Sequence, residues 1–126
     1  MADLVRKRLT GKEEGFTLIE LLVVIVILGI LMAIAVPSYM GFKDRANKAA
    51  AKANVRSAVA LVETYYQDST QGYVGMSTVA LSGIDPAVKA TVKGTPTATN
   101  YCLMATVGGF SFYKAGPSGD ITDAAC

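Results

Sequence analysis

One acidic side chain, Glu20, interrupts a stretch that is otherwise uncharged from Phe16 to Val36. An acid at the centre of a bilayer costs about 2.5 to 3.5 kcal/mol on insertion scales, so such a residue is a functional candidate. Thr17 and Glu20 also have the T-x-x-E spacing of a capping box, in which each side chain accepts a hydrogen bond from a backbone N–H at a helix start. Two roles of Glu20 therefore stay open, a local helix cap and a functional acid.

Few other residues offer catalytic or metal-binding chemistry. The chain has no histidine and two cysteines, Cys102 and Cys126, which excludes His-based triads and the usual transition-metal ligand sets. Calcium bound through Asp120 and Asp123 stays open, although loop carboxylates more often belong to turns. We therefore predict no enzyme activity, no cofactor and no metal. The two cysteines indicate a disulfide if the C-terminal part of the chain lies outside the cytoplasm.

The elements that must position Glu20 begin with an apolar helix. Counted from Phe16, the apolar run is about 20 residues long, which fits the hydrocarbon thickness of a bilayer. Two alternatives are a buried core helix and a secretory signal peptide cleaved after Ala33-Ile34-Ala35. The run is longer than the usual apolar region of a signal peptide, and helix-forming sequence continues beyond Pro37, so we favour a membrane-spanning helix.

The length of 126 residues allows one domain, or a membrane segment with a small head. The formal net charge of +2 is too small to indicate nucleic acid or an acidic substrate. Basic residues both precede and follow the apolar run, so the positive-inside rule does not settle its orientation. The cysteine pair favours an exported C-terminal head.

The helix is expected to continue from Ser38 to about Gln67, with Gly29 and Pro37 as points of flexibility. Two stripes run along this second part. Apolar residues repeat at spacings of four, three and four, and basic residues at three, four and four. The apolar stripe is Val55, Val59, Val62 and Tyr66, and the basic stripe is Arg45, Lys48, Lys52 and Arg56. The basic stripe is either solvated surface or a face for another subunit or an anionic partner.

The remaining sequence predicts strands. Val88, Ala90 and Val92 alternate with polar residues, which is typical of a strand with one buried face. Residues 101–107 and 110–114 flank Gly108-Gly109, the pattern of a hairpin with a tight primed turn. Residues 116–126 are expected to form a surface loop. The fold class is therefore α+β, a long N-terminal helix whose second half packs against a small antiparallel sheet.

Residues 15–37 resemble the start of the type IV pilins, in particular major pilins of the type IVa kind, and of the related pseudopilins of type II secretion. The resemblance lies in a short charged leader that ends in Gly15, the run from Phe16 to Leu22, the apolar helix and Pro37. It extends more loosely to Cys102 and Cys126, because pilins often close a variable region with a disulfide.

The resemblance implies a role for each of these residues. A prepilin peptidase would cut between Gly15 and Phe16 on the cytoplasmic side and methylate the new amine of Phe16. Glu20 would pair with the Phe16 amine of a neighbouring subunit, so that each buried charge offsets the other. The resulting organisation is a leader over residues 1–15, a membrane and assembly helix over 16–36, its amphipathic continuation over 37–67, and a small sheet head over 68–126.

The function implied is that of a structural pilus subunit, first a single-pass precursor in the cytoplasmic membrane and then part of an extracellular fibre on the cell surface. Its partners would be copies of itself, the peptidase, membrane lipid before assembly, and an assembly platform with an extension ATPase. DNA is a further partner that no motif supports. The outputs would be adhesion, twitching motility or DNA uptake. Alternatives are a secretion or competence pseudopilin, and a membrane-anchored or secreted binding domain.

Overall fold

The computed structural model of the chain describes residues 15–126. The predicted leader therefore lies outside the described residues, apart from Gly15. The chain divides into two compact units between Met40 and Gly41. One helix, α1 (Leu18–Asp68), runs through both units and ends one residue beyond the predicted end.

The first unit contains the apolar part of α1. Every side chain from Leu18 to Met40 is exposed, and this segment is long and apolar enough to cross a membrane. The helix continues without a break through Gly29 and Pro37. Directly after the proline, the Ser38 hydroxyl donates a hydrogen bond to the Ile34 carbonyl over 3.1 Å. The flexibility predicted at Gly29 and Pro37 remains a prediction.

The second unit has a core between α1 and a four-stranded sheet. Four α1 residues are fully buried at spacings of four, three and four: Ala51, Val55, Ala58 and Val62. The predicted apolar stripe was therefore partly wrong, because Val59 is only half-buried and Tyr66 is exposed. The small side chains of Ala51 and Ala58 allow the helix to pack closely against the sheet, which moves the buried face toward them.

The sheet is antiparallel throughout, with the strand order β1-β2-β3-β4. The strands are β1 (Thr91–Lys93), β2 (Tyr101–Val107), β3 (Phe110–Gly116) and β4 (Ile121–Thr122). The predicted hairpin is confirmed, since Val107 pairs with Phe110 across Gly108 and Gly109. Both glycines have positive φ, 58° and 85°, as a type I′ turn requires. Strand β3 extends two residues beyond the predicted Lys114.

One face of β2 contacts the core. Tyr101, Leu103 and Ala105 are buried and Val107 is half-buried, whereas Thr106 between them is exposed. This alternation follows from the pleat of a strand, in which successive side chains point to opposite faces. The buried β2 residues meet the α1 face and Phe112 of β3 in a single apolar cluster.

Three local predictions need correction. The strand expected from Val88 begins only at Thr91, because the Ala87 and Val88 N–H groups donate to the Asp85 side chain and carbonyl in a turn. A short helix, α2 (Thr78–Ile84), occurs where we expected none; Ser77 caps it by accepting from the Ala80 N–H. The C-terminal segment, expected to be a loop, contains β4.

Candidate functional site

The bond between Gly15 and Phe16 lies before the first helical residue, Leu18. Both residues are exposed, and 81% of Phe16 is accessible. A peptidase needs an accessible, non-helical backbone at the bond that it cuts, and glycine offers the least steric resistance to an extended conformation. The local structure is therefore compatible with cleavage at this bond.

The capping box predicted at the helix start is formed. The Thr17 N–H donates to Glu20 Oε2 over 2.9 Å, and the Glu20 N–H donates to Thr17 Oγ1 over 3.2 Å. The first α-helical bond follows, from the Leu21 N–H to the Thr17 carbonyl over 3.2 Å. The carboxylate also lies at the N-terminal end of the helix, where the helix dipole favours a negative charge. Glu20 is thus held in one orientation.

Apolar side chains flank Glu20 on the helix surface, and Glu20 itself is exposed. Phe16, Ile19 and three residues of the next turn line a depression together with Glu20. In an apolar environment an ionised group is stable only with hydrogen bonds or an opposite charge. The Thr17 N–H supplies one such hydrogen bond to the carboxylate. The carboxylate oxygens can still accept further hydrogen bonds from a cation. Phe16 and Glu20 therefore share one site.

The other predicted site residues lie elsewhere. Gly29 and Pro37 are further along α1, and a Cβ placed on Gly29 would meet no atom within 4 Å. Cys102 and Cys126 form the expected disulfide, with Cα atoms 6.0 Å apart. The bond ties β2 to the chain terminus in the second unit. Within residues 15–126, no group of three or more His, Cys, Asp or Glu could hold a metal ion.

Two aromatic contacts were missed by the sequence analysis. The Lys48 ammonium lies 4.9 Å from the centre of the Phe110 ring, and the Lys52 ammonium lies 4.9 Å from the centre of the Phe112 ring. Four residues along a helix and two residues along a strand cover nearly the same distance, so a lysine pair on the helix can face an aromatic pair on the strand. This spacing could have revealed the two contacts. Half of the basic stripe is therefore attached to the sheet.

Three tyrosine rings pack against one another in the second unit, two of them buried and that of Tyr66 exposed. The Tyr73 ring lies 4.8 Å from that of Tyr66 and 4.7 Å from that of Tyr101, measured between centroids. The Tyr101 hydroxyl is buried and has no hydrogen-bond partner among the described residues. Burial raises the pKa of Tyr101 to about 12, with smaller contributions from Tyr73 and Glu63. Burial also raises the pKa of Tyr73.

Comparison with known proteins identifies the helix start as a family motif. A family model described as the prokaryotic N-terminal methylation motif matches residues 11–36. The type IV narrow pilus major component PilA5 of Thermus thermophilus is 46% identical over 67 residues, 53% of this chain and 54% of that protein. The type II secretion system core protein G of Escherichia coli is 40% identical over 62 residues, 49% of this chain and 43% of that protein.

These two alignments cover only about half of each relative. A third alignment is longer. The type IV wide pilus major component PilA4 of Thermus thermophilus is 32% identical over 108 residues, which make up 82% of both chains. All three relatives are named as pilus or secretion-system components and not as enzymes. No solved structure matches the chain significantly. Because the similarity extends along most of both chains, this protein belongs to the type IV pilin family.

Proposed function

We propose that this chain is the structural subunit of a type IV pilus, cut between Gly15 and Phe16, methylated on the Phe16 amine and polymerised through the first part of α1. The observation that carries the proposal is the apolar segment from Leu18 to Val36, in which every side chain is exposed. An apolar surface of this extent needs lipid or protein around it. Lipid would cover it in the precursor and neighbouring copies would cover it in the fibre.

Glu20 has a specific task in this proposal. Cleavage converts the Phe16 peptide nitrogen into an amine, which is positively charged at neutral pH. The amine of a neighbouring copy would bind the Glu20 carboxylate, and each charge would offset the burial of the other. The capping hydrogen bond from Thr17 orients the carboxylate before this partner arrives. Subunits would thus be brought into register only after cleavage.

The cellular course follows from this proposal. The precursor would reside in the cytoplasmic membrane, with its disulfide-bonded head exported, and the mature subunit would enter a surface fibre. A prepilin peptidase, an assembly platform and an extension ATPase would be the partners in this process. The homologues named as major pilus components support assembly into a polymer of like subunits.

A second candidate function is that of a type II secretion pseudopilin. The similarity to core protein G of Escherichia coli favours it. A pseudopilin would share the cleavage, the methylation and the role of Glu20. Electron microscopy of cells expressing the chain at its native level distinguishes the two candidates, since long surface fibres built from this chain indicate a pilin and their absence beside active secretion indicates a pseudopilin.

Both candidate functions require cleavage and methylation, and the mass of the mature protein tests these two steps. We expect purified protein from the native host to lack residues 1–15 and to contain one additional methyl group on Phe16. Intact mass spectrometry measures both changes, and fragmentation locates the methyl group. A mature chain that begins after Ala35 would identify a cleaved secretory signal peptide and would contradict the proposal. A retained leader would contradict it as well.

A further inference from the structure

A groove runs beside α1 in the second unit, on the side of the sheet where β4 lies. Its volume is about 620 Å³. Its lining combines two ammonium groups, two aromatic rings, two hydroxyls, an aliphatic side chain and one carboxylate: Lys48, Lys52, Phe110, Phe112, Ser111, Thr122, Ile121 and Asp123. The groove is separate from the site at Phe16 and Glu20, and the assembly proposed above does not use it.

The two ammonium groups of the groove have a defined spacing. Lys48 and Lys52 are four residues apart on α1, which corresponds to a rise of about 6 Å along a helix. Each ammonium lies over one of two rings that are two residues apart on β3, at a strand spacing of about 7 Å. The cation–π contacts therefore hold the two positive charges roughly 6 to 7 Å apart.

This spacing corresponds to the repeat of an extended peptide. In a strand, side chains two residues apart lie on the same face at about 7 Å, so acidic residues at alternate positions would reach Lys48 and Lys52 together. The intervening side chains would point to the opposite face, away from both lysines. Strand β4 is the last strand of the sheet, and its outer edge has no strand partner within residues 15–126. Exposed edges of this kind accept added strands.

The charges in and around the groove narrow the choice of partner. The Asp123 carboxylate lines the same groove and repels any anion there, so it disfavours a polyanion with a charge on every unit more than a segment whose acidic residues alternate with uncharged ones. A single extended segment of a second copy cannot supply this pattern, because no two of its ten acidic residues are two positions apart. The occupant that fits is an extended segment of a different protein with acidic residues at alternate positions.

We propose that this groove binds an extended acidic segment of a partner protein, with carboxylates at alternate positions on Lys48 and Lys52. Binding places the partner on the head of each subunit and is independent of cleavage and of fibre assembly. It is therefore testable on the full chain in neutral detergent, and failure of the pilus proposal would leave the result of this test unchanged.

The test uses two synthetic peptides of the same composition with blocked ends. In the first peptide, Glu and Val alternate. In the second, the Glu residues are grouped in adjacent pairs separated by pairs of Val, so that no two Glu residues are two positions apart. Fluorescence anisotropy of labelled peptide measures binding to the full chain. We expect the alternating peptide to bind about tenfold more tightly than the other, because only it reaches both ammonium groups at once.

Lysine variants locate the binding. The double variant Lys48→Gln, Lys52→Gln should weaken binding of the alternating peptide by about tenfold, whereas Lys48→Arg, Lys52→Arg should retain it, since arginine keeps the charge and the ring contact. The matched control is Lys89→Gln, Lys93→Gln, which removes two exposed charges near the opposite edge strand β1. Thermal unfolding checks that every variant is folded.

Several results would overturn the proposal. One is equal binding of the two peptides, and another is an equal loss of affinity in the Lys89 and Lys93 control. A third is that an oligonucleotide or a polyuronate binds the wild type more tightly than the alternating peptide does, and that the Lys48 and Lys52 variant loses the binding of that polymer. A preserved difference between the peptides together with loss only in that variant supports the proposal.

Discussion

At the scale of single residues, Glu20 belongs to a local capping box and is also the residue proposed to contact a neighbouring subunit. The capping box was predictable because it depends on two side chains and the adjacent backbone only, and both of its hydrogen bonds are present. The intermolecular role proposed for Glu20 depends on a charge that cleavage creates. The cap and the proposed ion pair use the same carboxylate, so mutations must separate them.

Replacing Glu20 by Ala should leave insertion and cleavage intact and reduce the yield of fibres severely, because the Phe16 amine of the neighbour would be buried without a partner. Replacing Thr17 by Val removes only the capping hydroxyl, which costs about 1 kcal/mol at the helix start, and should reduce the yield much less. Immunoblots of sheared fibres and of membrane-bound mature protein measure the two steps. Wild-type fibre yield from Glu20→Ala would refute the assigned role.

Tyr101 should make the stability of the head depend on alkaline pH. Its pKa is raised to about 12 in the folded state, mainly by burial, so the folded state favours the neutral hydroxyl. The stabilisation is complete below the unfolded value of about 10 and is lost as the pH rises toward 12, with a total of roughly 2 to 3 kcal/mol.

Urea unfolding of the full chain between pH 8 and pH 11 measures this dependence. The variant Tyr101→Phe should lose much of it and, at neutral pH, should be as stable as the wild type or about 1 kcal/mol more stable, because it removes a buried hydroxyl without a partner. Strong destabilisation by this variant at neutral pH would show that the hydroxyl has a partner in solution.

At the scale of elements, the sequence predicted the parts of the fold that have a long periodic pattern or a characteristic turn sequence. The helix has a sustained apolar run, and the β2–β3 hairpin has two glycines between alternating segments, so both were predictable. Helix α2 has only seven residues, too few for a period to be visible. Strand β4 has two residues, and only its pairing with β3 defines it. Tertiary contacts therefore decide these short elements.

The continuity of α1 through Pro37 leads to a prediction about that helix. Proline lacks the N–H that would bond to the Ala33 carbonyl, and it is about 3 kcal/mol less favourable than alanine inside a helix. Pro37→Ala should therefore slow amide hydrogen exchange around this position. The matched variant Gly29→Ala, whose new Cβ meets open space, should have a smaller effect of about 1 kcal/mol.

Hydrogen exchange by mass spectrometry, on the full chain in neutral detergent, resolves the two positions. If both variants exchange like the wild type, the helix is already rigid at Gly29 and Pro37, and the flexibility predicted for these residues is wrong. Fibre stretching by optical tweezers provides a second measurement, in which Pro37→Ala should extend less under the same load.

At the scale of the whole molecule, the two units are stabilised in different ways. The second unit has its own buried cluster and a disulfide that closes a segment with a sequence separation of 24. The first unit has no buried side chain between Leu18 and Met40. The head can therefore be stable by itself, whereas the apolar segment depends on its surroundings.

Removing the disulfide should affect the head only. The double variant Cys102→Ser, Cys126→Ser should lower the free energy of unfolding of the second unit by about 3.5 kcal/mol, as expected for a closed loop of this length. Thermal melting followed by circular dichroism measures the loss. Amide exchange from Leu18 to Met40 serves as the control and should not change, and faster exchange there would show that the two units are coupled.

The uncovered surface of the segment from Leu18 to Val36 also limits the route that a subunit can take. Transfer of this much apolar surface into water is strongly unfavourable, because each square ångström costs about 25 cal/mol. A subunit that joins or leaves a fibre must therefore exchange lipid contacts for protein contacts directly, without a free aqueous stage. Growth and disassembly would then occur only where the base of the fibre meets the bilayer, and subunits released there would return to the membrane for reuse.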